Sequence, residues 1–136
     1  MWLQEHRAPV FVVATANTIE GLPPELLRKG RFDEVFFVDL PDQDTRADLW
    51  RIHLDRRQHT LPEDALLRLA AAATDRTGAE IEQVVVAAGH EARYAKESLG
   101  EQHLLAALEA SPPLAVTMAE SIDALREWAV GRCARA

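Results

Sequence analysis

A chain of 136 residues and 15.1 kDa is about one domain's worth of sequence, and 48% hydrophobic content allows a packed core and argues against default disorder. Fifteen Lys and Arg against 22 Asp and Glu leave a formal charge of -7, which disfavours binding to nucleic acid or to an anionic membrane, because both need a basic face to meet phosphate. Cys133 is the single cysteine and has no internal partner, no apolar run is long enough to cross a bilayer, and the N-terminus lacks signal-peptide architecture, so the expectation is a soluble, acidic, cytoplasmic chain.

The first 41 residues differ in texture from the rest. Pro9–Thr15 (PVFVVAT) and Glu34–Leu40 (EVFFVDL) are apolar on both faces without alternation, the pattern of strands buried inside a parallel sheet. Between them Pro23-Pro24 opens a short helix over Glu25-Leu26-Leu27-Arg28, so strand, helix and strand predict a βαβ unit. Two parallel strands cannot bury both faces and satisfy both edges by themselves, which predicts an incomplete sheet whose other strands come from another chain or, the preferred reading, from the rest of a longer protein.

From Asp42 onward the pattern is helical. A charged helix runs from Asp44 to about Arg57, with Leu49, Ile52 and His53 on neighbouring turns. Pro62 opens a second, with Leu66, Leu69, Ala70 and Ala73 facing inward. Thr77 and Glu80 form a capping box for a third, in which Ile81, Val84, Val85, Ala88 and Ala92 keep the helical repeat. Gly100 precedes a fourth carrying Leu104, Leu105 and Leu108, and Pro112-Pro113 breaks the chain. A second capping box, Thr117 with Glu120, starts a last helix with Ile122, Leu125 and Trp128 that stops near Gly131.

Three strings carry the chemistry: Ala14-Thr15-Ala16-Asn17, Leu26-Leu27-Arg28-Lys29-Gly30-Arg31-Phe32-Asp33 and Asp39-Leu40-Pro41-Asp42. A polar asparagine closing an apolar parallel strand lies at the sheet edge where ligands bind, although a turn asparagine capping the next segment is the plainer alternative. Arg28 and Arg31 flank Gly30, whose turn can aim both guanidinium groups outward; a solvated basic turn pairing with Asp33 or Glu34 is the rival. Together these strings resemble the AAA family of ATPases, in the part that follows the Walker B strand, and the resemblance runs from Val10 to Trp128. The tail from Pro112 to Glu120 is similar to one bacterial branch, related to an AAA ATPase encoded in algal plastids and cyanobacteria.

The resemblance implies α/β structure followed by all-α: residues 1–41 as the last two parallel strands of a P-loop NTPase core, and residues 42–136 as a C-terminal helical lid. Asn17 becomes sensor 1, which orients the attacking water near the γ-phosphate. Arg28 and Arg31 become arginine fingers that reach a neighbouring subunit's nucleotide, a role suited to a planar, permanently charged fork. His53 matches a lid histidine near adenine, and Gly78-Ala79 a pair that lets backbone approach adenine and ribose. Lys29 stands where many members have proline, and Glu80 where aspartate is commoner.

Absences bound this expectation. The two lysines, Lys29 and Lys96, are followed by Gly30 and Glu97, so the chain has no Walker A motif, and no acid pair follows Asp39 as Walker B requires. Histidine and cysteine show no zinc-ligand spacing, and no nucleophile arrangement is suggested. The implied protein is an ATP hydrolase using ATP and Mg in its complete module, working as a ring, commonly a hexamer, of AAA subunits that remodels a protein target. This chain alone is predicted inactive and without tight nucleotide binding. The alternative is a non-catalytic interaction module that docks on full-length AAA subunits.

Overall fold

A computed structural model of the chain describes residues 10–18 and 32–135, and its contacts divide into two units, Asp39–Ala119 and Met1–Val38 with Glu120–Ala136. The helical unit begins where Asp42 accepts Thr45 N–H on its Oδ1 at 2.8 Å, capping α1 (Gln43–Asp55). Pro62 starts α2 (Glu63–Ala72), Thr77 caps α3 (Gly78–Ala95), and Gly100 precedes α4 (Glu101–Glu109). Past Pro112-Pro113 a single turn, α5 (Leu114–Thr117), follows. Helix α1 packs on α2 and α3, while α4 packs on α3 and α2, closing a four-helix arrangement. At its centre Trp50, Leu54, Leu69, Ile81, Val85 and Leu104 are fully buried.

The helical repeat placed the inward faces well. Leu66, Leu69, Ala70 and Ala73 are buried, as are all five predicted residues of α3. Leu104 and Leu108 are buried and Leu105 packs against the same core. On α1, however, Ile52 faces outward and the centre is taken by Trp50 and Leu54.

Two buried arginines tie helix ends together. Arg46 donates from Nε to Ala70 O and from Nη1 to Pro41 O, both at 2.8 Å. Arg76 donates from Nη2 to Leu108 O, in the last turn of α4, at 2.7 Å and to Ser111 O just beyond that helix. Between α2 and α4, Arg68 forks onto Glu101 with bonds of 2.7 and 2.8 Å. Gln58, Asp75 and Lys96, shortly after the ends of α1, α2 and α3, take left-handed φ values of 61°, 61° and 58°.

The other unit differs from expectation. Residues 10–15 form no strand, and Phe11 and Val13 are 92% and 76% exposed. The second run shortens to β1 (Phe36–Phe37), which pairs in parallel with β2 (Ala134–Arg135) rather than with residues 10–15. The reason is the one that made the sheet incomplete: two apolar strands without neighbours leave both faces in water, and so small a sheet is marginal. The helix expected at Glu25–Arg28 lies outside the described residues. Helix α6 (Ala119–Ala129) is followed by Gly131 at φ 71°, the left-handed stop expected there. Its expected cap is not made, because Thr117 is taken into the α5 turn, where its hydroxyl donates to Leu114 O at 2.9 Å.

Leu69→Ala tests the bundle core. Loss of a fully buried leucine is expected to lower unfolding free energy by about 2–5 kcal/mol in urea titrations, with the slope unchanged. A loss below about 1 kcal/mol would mean that the four helices close over the cavity.

Candidate functional site

The N-terminus of α3 gathers most of the helical unit's candidate residues. Thr77 Oγ1 accepts Glu80 N–H at 3.2 Å, and Glu80 Oε2 accepts Thr77 N–H at 2.8 Å, so the predicted capping box is formed in both directions. Within that box lie Gly78 and Ala79, half-buried and exposed respectively. The cap leaves the first N–H groups of a helix pointing outward beside a small side chain, a surface that a planar ligand can approach closely. Gly78 also answers to packing: a Cβ there would sit 3.3 Å from Leu49 Cδ2.

Leu49 against Gly78 and His53 against Glu82 are successive turns of α1 meeting successive turns of α3 in the same order. His53 therefore lies one helical turn along from Gly78, on the facing helix. Its ring is buried, and Nδ1 finds no hydrogen-bond partner. Glu82 Oε1 is 3.8 Å away, too far for a hydrogen bond, and is held at 3.3 Å by Arg57. Burial pushes the His53 pKa below its ordinary value; Glu82 pulls it up, while Arg56 and Arg57 reinforce the lowering. The imidazole is neutral at pH 7, with one ring nitrogen still able to bond.

Glu80 carries more than its cap. Its Oε1 accepts Leu114 N–H at 2.7 Å and its Oε2 also takes the Thr77 hydroxyl at 2.8 Å. Burial pushes this carboxyl upward, but the donors of Thr77 and Leu114 outweigh it, so its pKa falls below the ordinary value. The capping pattern signals the local bonds; nothing in the spacing signals Leu114. Arg76 was equally silent, an arginine in a loop with no periodic context.

Asn17 is exposed at a bend in the other unit, without the strand expected to carry it. Arg28 and Arg31 lie outside the described residues. Among the described residues no cluster of His, Cys, Asp or Glu could hold a metal ion, and no helix is long and apolar enough to cross a membrane.

The family described as "ATPase family associated with various cellular activities (AAA)" matches residues 1–40. The uncharacterized AAA domain-containing protein ycf46 of Pyropia yezoensis is 41% identical over 94% of this chain and 26% of its own length. That of Guillardia theta is 43% identical over the same shares of 94% and 26%. The ATP-dependent zinc metalloprotease FtsH 2 of Sphaerobacter thermophilus is 42% identical over 77% of this chain and 16% of its own length. The chain thus spans about a quarter of the first two relatives' length. These matches bear out the resemblance to the AAA family and to its plastid-encoded branch.

His53 gives a pH test with a definite sign. Because burial lowers its folded pKa, the unfolded chain takes up a proton first as pH falls below about 6.5. Stability is expected to decline from that pH down to the folded pKa. His53→Gln should flatten the decline in denaturant titrations between pH 7 and 5; an unchanged slope would show that the ring titrates freely.

Proposed function

The chain belongs to the AAA family, and from that premise we propose that it is the part of an AAA ATPase that follows the phosphate-binding elements, carrying sensor 1, the arginine fingers and the helical lid. The carrying observation is similarity to AAA-domain proteins over 94% of the chain, spanning the helical unit as well as residues 1–40. In this reading the complete protein hydrolyses ATP at the interfaces of a cytoplasmic ring, commonly a hexamer, and uses the movement of the lid to remodel a protein target.

Each residue then has one task. Asn17 orients the attacking water beside the γ-phosphate. Arg28 and Arg31 extend toward the neighbouring subunit's nucleotide and stabilise charge on the transferring phosphoryl group. Gly78 and Ala79 offer backbone and little side chain to adenine and ribose. His53, one turn away, takes the adenine side in this reading, although its unpartnered Nδ1 is buried toward Glu82. Mg, when bound, screens the phosphate charge; its ligands belong to the P-loop and Walker B elements, which this sequence lacks.

Two measurements test the assignment. The isolated chain should bind ATP no more tightly than about millimolar, since only base-side contacts remain to offset the cost of association. Micromolar affinity by calorimetry would overturn the division of labour. In the assembled full-length ring, Arg31→Ala should leave nucleotide binding nearly intact and lower turnover about 10³-fold or more. Unchanged turnover would return Arg31 to a solvated turn.

A further inference from the structure

An N3 glutamate in a capping box needs only one oxygen, turned back to the N-cap N–H. Glu80 uses both. Oε2 takes the Thr77 N–H and hydroxyl, each at 2.8 Å, and Oε1 accepts Leu114 N–H at 2.7 Å from thirty-four residues away. Leu114 is the first residue after Pro112-Pro113 and the first backbone donor the chain offers after Ser111, because neither proline carries an N–H. The other end of that segment is held by Arg76, whose buried guanidinium donates to Leu108 O and Ser111 O. Residues 76–80 therefore grip the strap from Ser111 to Leu114 at both ends, and Gly78 and Ala79 lie between the two grips.

We propose that Glu80 is a positioning residue that locks the Gly78–Ala79 backbone to the Ser111–Leu114 strap, with Arg76 fixing the strap's origin, so that a ligand ordering the loop also orders the strap. What the loop binds rests on the nucleotide reading above; the lock does not depend on it. An ionised carboxylate holding three donors is a strong, geometrically definite bond set. It joins two segments that otherwise meet solvent: Ala79 and Leu114 are both exposed. Coupling through one shared side chain is reciprocal, so disturbing the strap must loosen the loop as surely as the reverse.

Amide exchange in the full 136-residue chain, followed by NMR, decides it without nucleotide. Leu114→Pro removes the donor and little else of the backbone path: proline suits the first helical position, and Pro113 at ψ 139° already has the conformation that a residue before proline adopts. Loss of a bond to a charged group is expected to raise exchange at the Thr77 and Glu80 amides about tenfold, with Val85 in the α3 core unchanged. Glu80→Ala should raise exchange at Thr77 and Leu114, and adding Leu114→Pro to it should raise Thr77 no further. Glu80→Gln, with one acceptor oxygen, should lie between. Unaltered exchange at Thr77 and Glu80 in Leu114→Pro overturns the lock, and so does an equal rise at Val85, which would mark global loosening. With millimolar ATP added, joint shifts of the Gly78, Ala79 and Leu114 resonances that lose Leu114 in Glu80→Ala support the coupling. Shifts at Gly78 and Ala79 with Leu114 silent overturn it. Silence at all three means only that the isolated chain binds ATP more weakly than millimolar, as the missing phosphate elements allow, and the exchange comparison alone then decides the lock.

Discussion

Helix ends, more than helix faces, set the terms for this fold. Four short helices joined by tight connections leave open carbonyls close to an apolar core, where an unmet carbonyl costs about as much as a lost hydrogen bond. Arg46 and Arg76 meet that demand from within, each reaching across more than twenty residues of sequence to the last turn of another helix. A guanidinium suits the task because its charge is spread over a planar fork and its several N–H groups can reach two carbonyls at once. Those bonds join α1 to α2 and the approach to α3 to α4, adding directional polar ties to a core that apolar residues of all four helices fill.

The chemistry proposed for the chain asks for this rigidity in one place. A surface that accepts a base needs its first-turn amides held in register, and Gly78 and Ala79 cannot do that with side chains of their own. The register comes from their neighbours. Leu49 of α1 lies over the space beside Gly78, Thr77 and Glu80 close the cap on either side, and His53 lies a turn away with a neutral ring. An alanine at 78 would bring its Cβ to 3.3 Å from Leu49 Cδ2, a tight fit that the half-buried leucine could relieve only by shifting.

What the sequence disclosed followed from whether the deciding forces were local. The α3 cap and its five inward residues could be read because a capping box and a repeat of 3.6 are written within a few turns. The strand over Pro9–Thr15 could not be trusted in the same way, since an apolar run becomes a strand only if neighbours supply its hydrogen bonds. Here β1 found its partner at Ala134–Arg135, a pairing distant in sequence that no spacing announces. Trp50 was missed at the centre of the bundle because a charged helix, with Arg46 and Arg51 around it, disguises its inward face. Of the site, resemblance drew Gly78, Ala79 and His53 to one region; Gly78 and Ala79 open α3, and His53 faces Glu82 one turn further along it. The Glu80 bond to Leu114 needed tertiary structure to be visible at all.

The left-handed residues after three successive helices have a different kind of consequence. Gln58, Asp75 and Lys96 are all exposed, and each holds a backbone conformation that costs an L-residue about 1–2 kcal/mol. Asparagine tolerates that region better and, unlike glycine, adds little freedom to the unfolded chain. The thermal tolerance of the helical unit is therefore adjustable from its rim, at exposed positions outside the packed centre.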